Sequence, residues 1–321
     1  MTSSMKVLRY TPGHLHAWND FVRTARNGHF MFERGYMDYH SDRFEDFSLM
    51  VYGEDGKLLS LLPANIKNGV CHSHQGLTFG GFLSGRKMRA ENMLEVFTSS
   101  AAFLKAQGVK QLIYKAIPHF YHQQPAQEDI YALFRLGATC HRVDISSTID
   151  YKSRRYAFSS SRRSGLKKVR EYEVTIKTSD DFTTFFGIMS ELLEKKYNTQ
   201  ATHTAKEMAM LHNRFPDNIH LHAAYEGDEM IAGIVIYETP LVAHTQYIAS
   251  NPRGKEICAV DFLLNKLINE TYAKKNYFDY GISTEKGGTY LNNNLVSQKE
   301  GTGARGTVHQ FFTLDLDKTV G

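Results

Sequence analysis

RFEDFSLMVYGEDGKLLSLL, residues 43–62, and RFPDNIHLHAAYEGDEMIAGIVIYE, residues 214–238, set out one plan twice. Each opens on Arg-Phe and runs through an apolar strand, 47–52 in the first and 219–225 in the second. Each then turns on an acidic, glycine-bearing loop, Glu54-Asp55-Gly56 or Glu226-Gly227-Asp228, into another strand. The likeness continues outward. A helical stretch over 94–106 leads to Leu112-Ile113-Tyr114, and one over 260–272 leads to Phe278-Asp279-Tyr280. At the end of the copies, 133–138 lies opposite 296–304, so that Lys299 faces Arg135 and the second copy is the more polar. The offset stays between about 164 and 173 residues throughout, which points to a duplicated unit. Two domains are therefore expected, 1–150 and 151–321.

Composition is that of a globular protein. With 321 residues, 42% hydrophobic and 22% charged, the chain can bury two cores of about 150 residues each. No apolar run approaches the roughly 20 residues that span a bilayer, and residues 1–10 lack the apolar centre of a signal peptide, so a cytoplasmic protein is expected. Cys71, Cys140 and Cys258 are odd in number and far apart, as reduced thiols would be. A net charge of +4 does not by itself imply nucleic acid. The charge is uneven, however: Lys152, Arg154, Arg155, Arg162, Arg163, Lys167, Lys168 and Arg170 crowd the join between the copies. That run reads either as a phosphate-binding surface, for a nucleotide, a coenzyme or tRNA, or as a solvated helix face started by Ser159-Ser160-Ser161.

Periodicity gives the second copy its elements. Phe182, Phe185, Phe186, Met189, Leu192 and Leu193 recur at three- and four-residue spacing, a helix capped by Ser179 or Asp180. A further helix is expected over 206–213, then three antiparallel strands over 220–225, 230–238 and 241–249, joined at Gly227-Asp228 and Pro240. The long helix follows Asn251-Pro252-Arg253-Gly254, then a strand over 277–282, a Gly/Asn-rich loop or helix, and a last strand over 307–316. The first copy gives the same series from 15 to 149. The fold class is α/β (α+β), two tandem domains, each a mixed, mostly antiparallel sheet flanked by helices.

That order resembles the GNAT acyltransferase superfamily, and its duplication resembles the FemAB-like branch, over nearly the whole chain. The specific parts are His244-Thr245-Gln246-Tyr247-Ile248-Ala249-Ser250, the helix from about Ile257, and Tyr280-Gly281-Ile282-Ser283-Thr284-Glu285 leading to Lys299-Glu300-Gly301-Thr302-Gly303. The resemblance implies that Lys299 stabilises negative charge on the reacting acyl group; otherwise it is a solvated lysine in a Gly-rich turn. It implies a donor pyrophosphate held by backbone N–H groups over 251–259, with Gln246, Tyr247, Arg253, Gly254 and Lys255 as donor-binding residues, although that segment keeps a single glycine. The first copy offers only Ser84-Gly85-Arg86-Lys87 there, which assigns donor and chemistry to the second copy. The acceptor side is then given to Tyr36, His119, Tyr121, His122, Ser283 and Asn292. Some of these rings could equally be packing.

Chemistry supports the same class. Acyl transfer to an amine needs an oriented electrophile, a route for one proton and positive charge at the oxyanion, but no covalent nucleophile. No Gly-x-Ser-x-Gly elbow or Walker loop occurs. Glu285, just beyond a strand end, reads as a general base or as a surface acid paired with Lys286. His72 with His74, and His220 with His222, lack a cysteine or carboxylate at ligand spacing, so no metal is expected. Three functions stand. The first is an N-acyltransferase moving an acyl group from acyl-CoA, as cosubstrate without a tightly bound cofactor, to an amine of a cell-envelope or polysaccharide precursor. The second is an aminoacyl-tRNA-dependent peptidoglycan-bridge aminoacyltransferase, with tRNA as partner. The third is a degenerate pair acting as a binding module. Acceptor, acyl group and oligomeric state are not legible.

Overall fold

Branched and aromatic runs interrupted by glycine turns make the strands of both halves. A computed structural model describes residues 5–153, 157–197 and 201–318; Arg154 and Arg155 of the basic run lie outside the described residues. The chain divides into two compact units, Met1–Asp144 with Val308–Gly321, and Ile145–Thr307.

The first unit carries β1 (Lys6–Arg9), α1 (Leu15–Thr24), α2 (Arg34–Met37), β2 (Glu45–Asp46), β3 (Leu49–Tyr52), β4 (Leu58–Leu62), β5 (Asn65–Lys67), β6 (Val70–His72), β7 (Leu83–Ser84), α3 (Ala90–Ala106), β8 (Gln111–Lys115) and α4 (Glu128–Arg135). The β3–β4 turn is the one quoted above, and Gly56 takes a φ of +72° there, which a side chain would resist. Its strands form two sheets: β1-β3-β4-β7, all antiparallel, and β2-β5-β6-β8, in which β6 and β8 run parallel. Met93, Val96, Phe97 and Leu104 form the apolar face of α3 and pack in one core with Phe82, Leu112 and Tyr114.

The second unit begins within β9 (Thr139–Asp150). It continues through α5 (Ser160–Val169), β10 (Val174–Ser179), α6 (Phe182–Tyr197), α7 (Ala205–Arg214), β11 (Ile219–Glu226), β12 (Glu229–Glu238) and β13 (Val242–Ser250). Then come α8 (Pro252–Glu256), α9 (Ala259–Lys266), β14 (Tyr277–Ile282), the short hairpin β15 (Thr284–Glu285) and β16 (Tyr290–Leu291), α10 (Asn293–Glu300) and β17 (Arg305–Asp315). The long helix expected over 260–272 is α9 continued by a π turn, Leu267–Thr271. Sheet order is β10-β11-β12-β13-β14-β9, antiparallel except between β13 and β14. On one face Ile234, Ile236 and Phe278 bury against Leu263, Leu264 and Leu267.

The units differ from the expected 1–150 and 151–321 in their last strands. From Ile145 on, β9 belongs to the second unit, where it pairs with β14; from Val308 on, β17 belongs to the first, where Phe311–Asp315 run antiparallel to β8. The cause is side-chain burial, since Phe312, Leu314 and Leu316 enter the core of the first unit. Leu314→Ala should therefore cost about 2–5 kcal/mol and release amide-exchange protection in β8 before β11 to β13. Earlier loss in β11 to β13 would contradict the assignment of this strand.

Candidate functional site

In the second unit, β13 and β14 run side by side for three rungs only, Val242 with Tyr277, Ala243 with Phe278 and His244 with Asp279. Beyond the third rung both strands carry an extra residue. On β13, Tyr247 and Thr245 face Val235 and Ile236 of β12, so Gln246 is bulged out of the ladder. On β14, Asp279 and Ile282 face Thr148 and Ser146 of β9, so two residues, Tyr280 and Gly281, oppose one. Gly281 takes φ +71°, the conformation that a glycine bulge requires. Bulges bend strands and sharpen twist, and here they part β13 from β14.

The Gly281 bulge has a direct consequence. In a regular strand successive carbonyls point to opposite edges. Here the carbonyls of Gly281 and Ile282 both accept hydrogen bonds from Lys299 Nζ, each at 2.8 Å. Lys299 lies in the last turn of α10, whose first turn is capped by the Asn292 side chain accepting from the Leu295 amide at 3.0 Å. The Lys299 side chain is buried, and burial pushes its ammonium down to about 8 from 10.5, with Asp279 acting the other way. Two of its three N–H bonds are thus engaged, and the third has no partner among the described residues.

On the last rung, His244 Nδ1 lies 2.7 Å from Asp279 Oδ2. The other carboxylate oxygen accepts from Ser146 Oγ at 2.7 Å and Thr148 Oγ1 at 2.9 Å, which fixes a fully buried acid. Facing a carboxylate, Nδ1 carries a ring proton, which in the neutral imidazole leaves the lone pair on Nε2. A Cβ at Gly281 would come within 3.2 Å of His244 Cε1. Gly281 therefore neighbours both groups: its carbonyl holds the ammonium, and its Cα faces the imidazole. Neither His244 nor Asp279 was nominated for a role from the sequence; the only signal is that they stand in adjacent parallel strands, which no linear spacing reveals.

Glu285 is exposed, and its Oε1 accepts from Asn292 Nδ2 at 2.8 Å, which joins it to the N-terminal end of α10. Ser283 is buried with an unpartnered hydroxyl, and its amide donates to Ile145 O. Tyr247 OH meets His203 Nδ1 at 2.6 Å. In the segment expected to cradle a pyrophosphate, the Arg253 guanidinium is held by Glu226 at 2.7 and 2.8 Å and by Glu256. The Gly254 amide donates to Asn251 Oδ1 at 2.8 Å, and a Cβ there would strike Ile231 O at 2.1 Å, so this glycine serves close backbone packing. Lys255 is exposed. In the first unit Tyr36, Tyr121 and His122 are buried, His122 with Nε2 on Ile117 O at 3.1 Å, whereas His119 is exposed.

The basic helix α5 docks on this region through one arginine. Arg162 pairs with Asp261 of α9 and donates to Gln298 O of α10, while the Ser159 amide donates to Gly301 O. Arg163, Lys167, Lys168 and Arg170 remain exposed. A cavity of about 520 Å³ opens elsewhere, among His220, His222, Glu238, Tyr272 and Lys275. In the ladder His220 faces Ile236 and Thr245, so it lies on the sheet face opposite His244. Its groups pair with each other, His222 with Tyr272 and Glu238 with Lys275, and no group of three metal-ligating side chains occurs among the described residues. No helix among the described residues is long and apolar enough to cross a membrane.

Residues 152–289 match the acetyltransferase (GNAT) domain family. No curated protein matches the sequence itself. Among solved structures, FemX superposes with a TM-score of 0.68 at 10% identity, covering 98% of each chain. L-PGS from Bacillus licheniformis gives 0.60 at 12% identity over 97% of this chain and 94% of that one. A tandem GNAT protein from the clavulanic acid biosynthesis pathway gives 0.51 at 9% identity over 97% and 98%. The chain has the FemAB-like GNAT fold over nearly its whole length.

Lys299 binds its proton less tightly folded than unfolded. Between about pH 8 and 10.5 the unfolded chain therefore holds more protons, and this group's contribution to stability rises with pH. Melting temperature followed from pH 7 to 10.5 should show the wild type gaining on Lys299→Met across that window and running parallel to it below. A constant difference throughout would mean that the ammonium is solvated.

Proposed function

We propose that the second unit is the catalytic lobe of an N-acyltransferase, with the donor carbonyl seated where β13 and β14 part. The observation that carries the reading is Lys299: a buried ammonium held by two carbonyls of the Gly281 bulge, with one N–H left over. Fixed in place, that N–H can meet an oxyanion without reorganising, which is where such a charge lowers a barrier most. Gln246, bulged out of its ladder, leaves backbone groups that an extended acyl chain could pair with. The acceptor is an amine of a cell-envelope or polysaccharide precursor, a reading supported by the likeness to FemAB-like proteins.

Acyl-CoA is the donor that the GNAT domain match favours. The aminoacyl-tRNA reading draws on a separate observation. Arg253 and the Gly254 amide already have protein partners, so the segment 251–256 offers a pyrophosphate little beyond Lys255, whereas α5 and its C-cap Arg170 together present four exposed cations to a polyanion. Titration calorimetry with acetyl-CoA and filter binding with alanyl-tRNA separate the two: one donor is expected to bind at micromolar concentration or below, and binding of neither would favour the non-catalytic module. With the donor that binds, Lys299→Met should lower turnover by about 10²-fold while changing donor affinity less than threefold. Equal losses in both would make Lys299 a donor-binding group rather than an oxyanion partner.

A further inference from the structure

We infer that His244 is the group that takes the proton from the attacking amine, with Asp279 as the residue that positions it, an assignment that rests on the acyl-transfer reading above. A base for this reaction must stand at the reacting carbon, be held rigidly and keep a lone pair within reach of substrate. Three placements satisfy this. The ring sits on the last rung before the strands part. Its Nδ1 is locked by a fully buried carboxylate that is itself locked by Ser146 and Thr148. Its Nε2 has no hydrogen-bond partner among the described residues, and it is not among the nitrogens sealed from solvent, although the residue as a whole is only 7% exposed. The other buried histidines of this sheet are spent differently, as with His222, whose Nε2 is bonded to Tyr272 OH.

Gly281 ties the two halves of the chemistry together. Its carbonyl holds Lys299, and its missing side chain leaves the Cε1 edge of His244 open. Glu285 has a different address. It is exposed and bonded to Asn292, which caps the first turn of α10, while Lys299 is in the last. Seven residues of helix place those ends roughly 10 Å apart. The groups facing His244 and its partner are Asp279 on β14, the hydroxyls of Ser146 and Thr148 on β9, and the Lys299 ammonium on α10.

The step balances without a further reactant. The amine nitrogen attacks the acyl carbon and forms the C–N bond, and the carbonyl electrons move to the oxygen beside Lys299 Nζ. The proton on nitrogen passes to His244 Nε2, giving an imidazolium stabilised by Asp279. Collapse breaks the bond to sulfur, for a thioester, or to ribose oxygen, for an aminoacyl ester, and the imidazolium returns the proton to that leaving group.

The test is single-turnover transfer of labelled acetyl from acetyl-CoA, and of labelled alanine from alanyl-tRNA, to glycinamide as a small amine probe. With the donor that the wild type uses, His244→Ala should lower the rate about 10²-fold or more at unchanged donor affinity, and added imidazole should restore part of it. Asp279→Asn should lower kcat with little change in KM, because an amide nitrogen facing Nδ1 would push the ring proton to Nε2. Adding that change to His244→Ala should cost nothing more. A His244→Ala rate within threefold of wild type overturns the assignment, as does a loss that imidazole leaves untouched and that comes with weakened donor binding. If Lys299→Met is inactive while His244→Ala is active, the dyad alone is wrong. If the wild type transfers from neither donor, the acyl-transfer reading fails and this inference falls with it.

Discussion

A parallel pair of strands that separates after three rungs is the constraint on which the candidate site depends. Backbone groups in a sheet are normally consumed by neighbouring strands, and a polar group without a partner in the interior is costly. Parting β13 from β14 frees several at once. The protein meets that cost locally: the carbonyls of Gly281 and Ile282 are taken by Lys299, and Asp279 is taken by His244, Ser146 and Thr148. The residues that satisfy the fork are therefore the residues able to do chemistry in it.

One glycine coordinates the arrangement. With φ +71° at Gly281, two consecutive carbonyls reach one ammonium, and with no Cβ the imidazole packs against the backbone. An L-residue there meets both a strained backbone and a contact to His244. Electrostatics follows from the same packing. The ammonium is buried and loosened from its proton, yet Asp279 near it favours the charged form, so Lys299 stays cationic near neutral pH.

The donor end is built more for rigidity than for phosphate. Asn251 caps Gly254, Gly254 packs on the Ile231 carbonyl, and Arg253 is clamped between Glu226 and Glu256. The helix α5 spends its first arginine on Asp261 and keeps its other cations in solvent. Positive charge is thus concentrated on α5 rather than in the loop where a run of glycines would place backbone amides.

Much of the fold could be read from the chain alone, because it is written in local terms. The apolar runs bounded by turns at 219–226, 229–238 and 242–250, the apolar spacing of α6 and the glycine turns at Gly56 and Gly227 each depend on neighbours within a few residues. Lys299 could be nominated because it stands near a Gly-containing motif. What the linear order did not carry was long-range. The helix bearing Lys299 has a weakly apolar sequence, Asn293 to Glu300, and was legible only as a loop or helix. Core burial assigned the C-terminal strand to the first unit. The pairing of His244 with Asp279, 35 residues apart, exists only through the parallel register of two strands joined by a crossover. Periodicity reports which way a residue faces within its own element, whereas register between distant strands is settled by which packing buries both cores at once, and only the folded chain decides that.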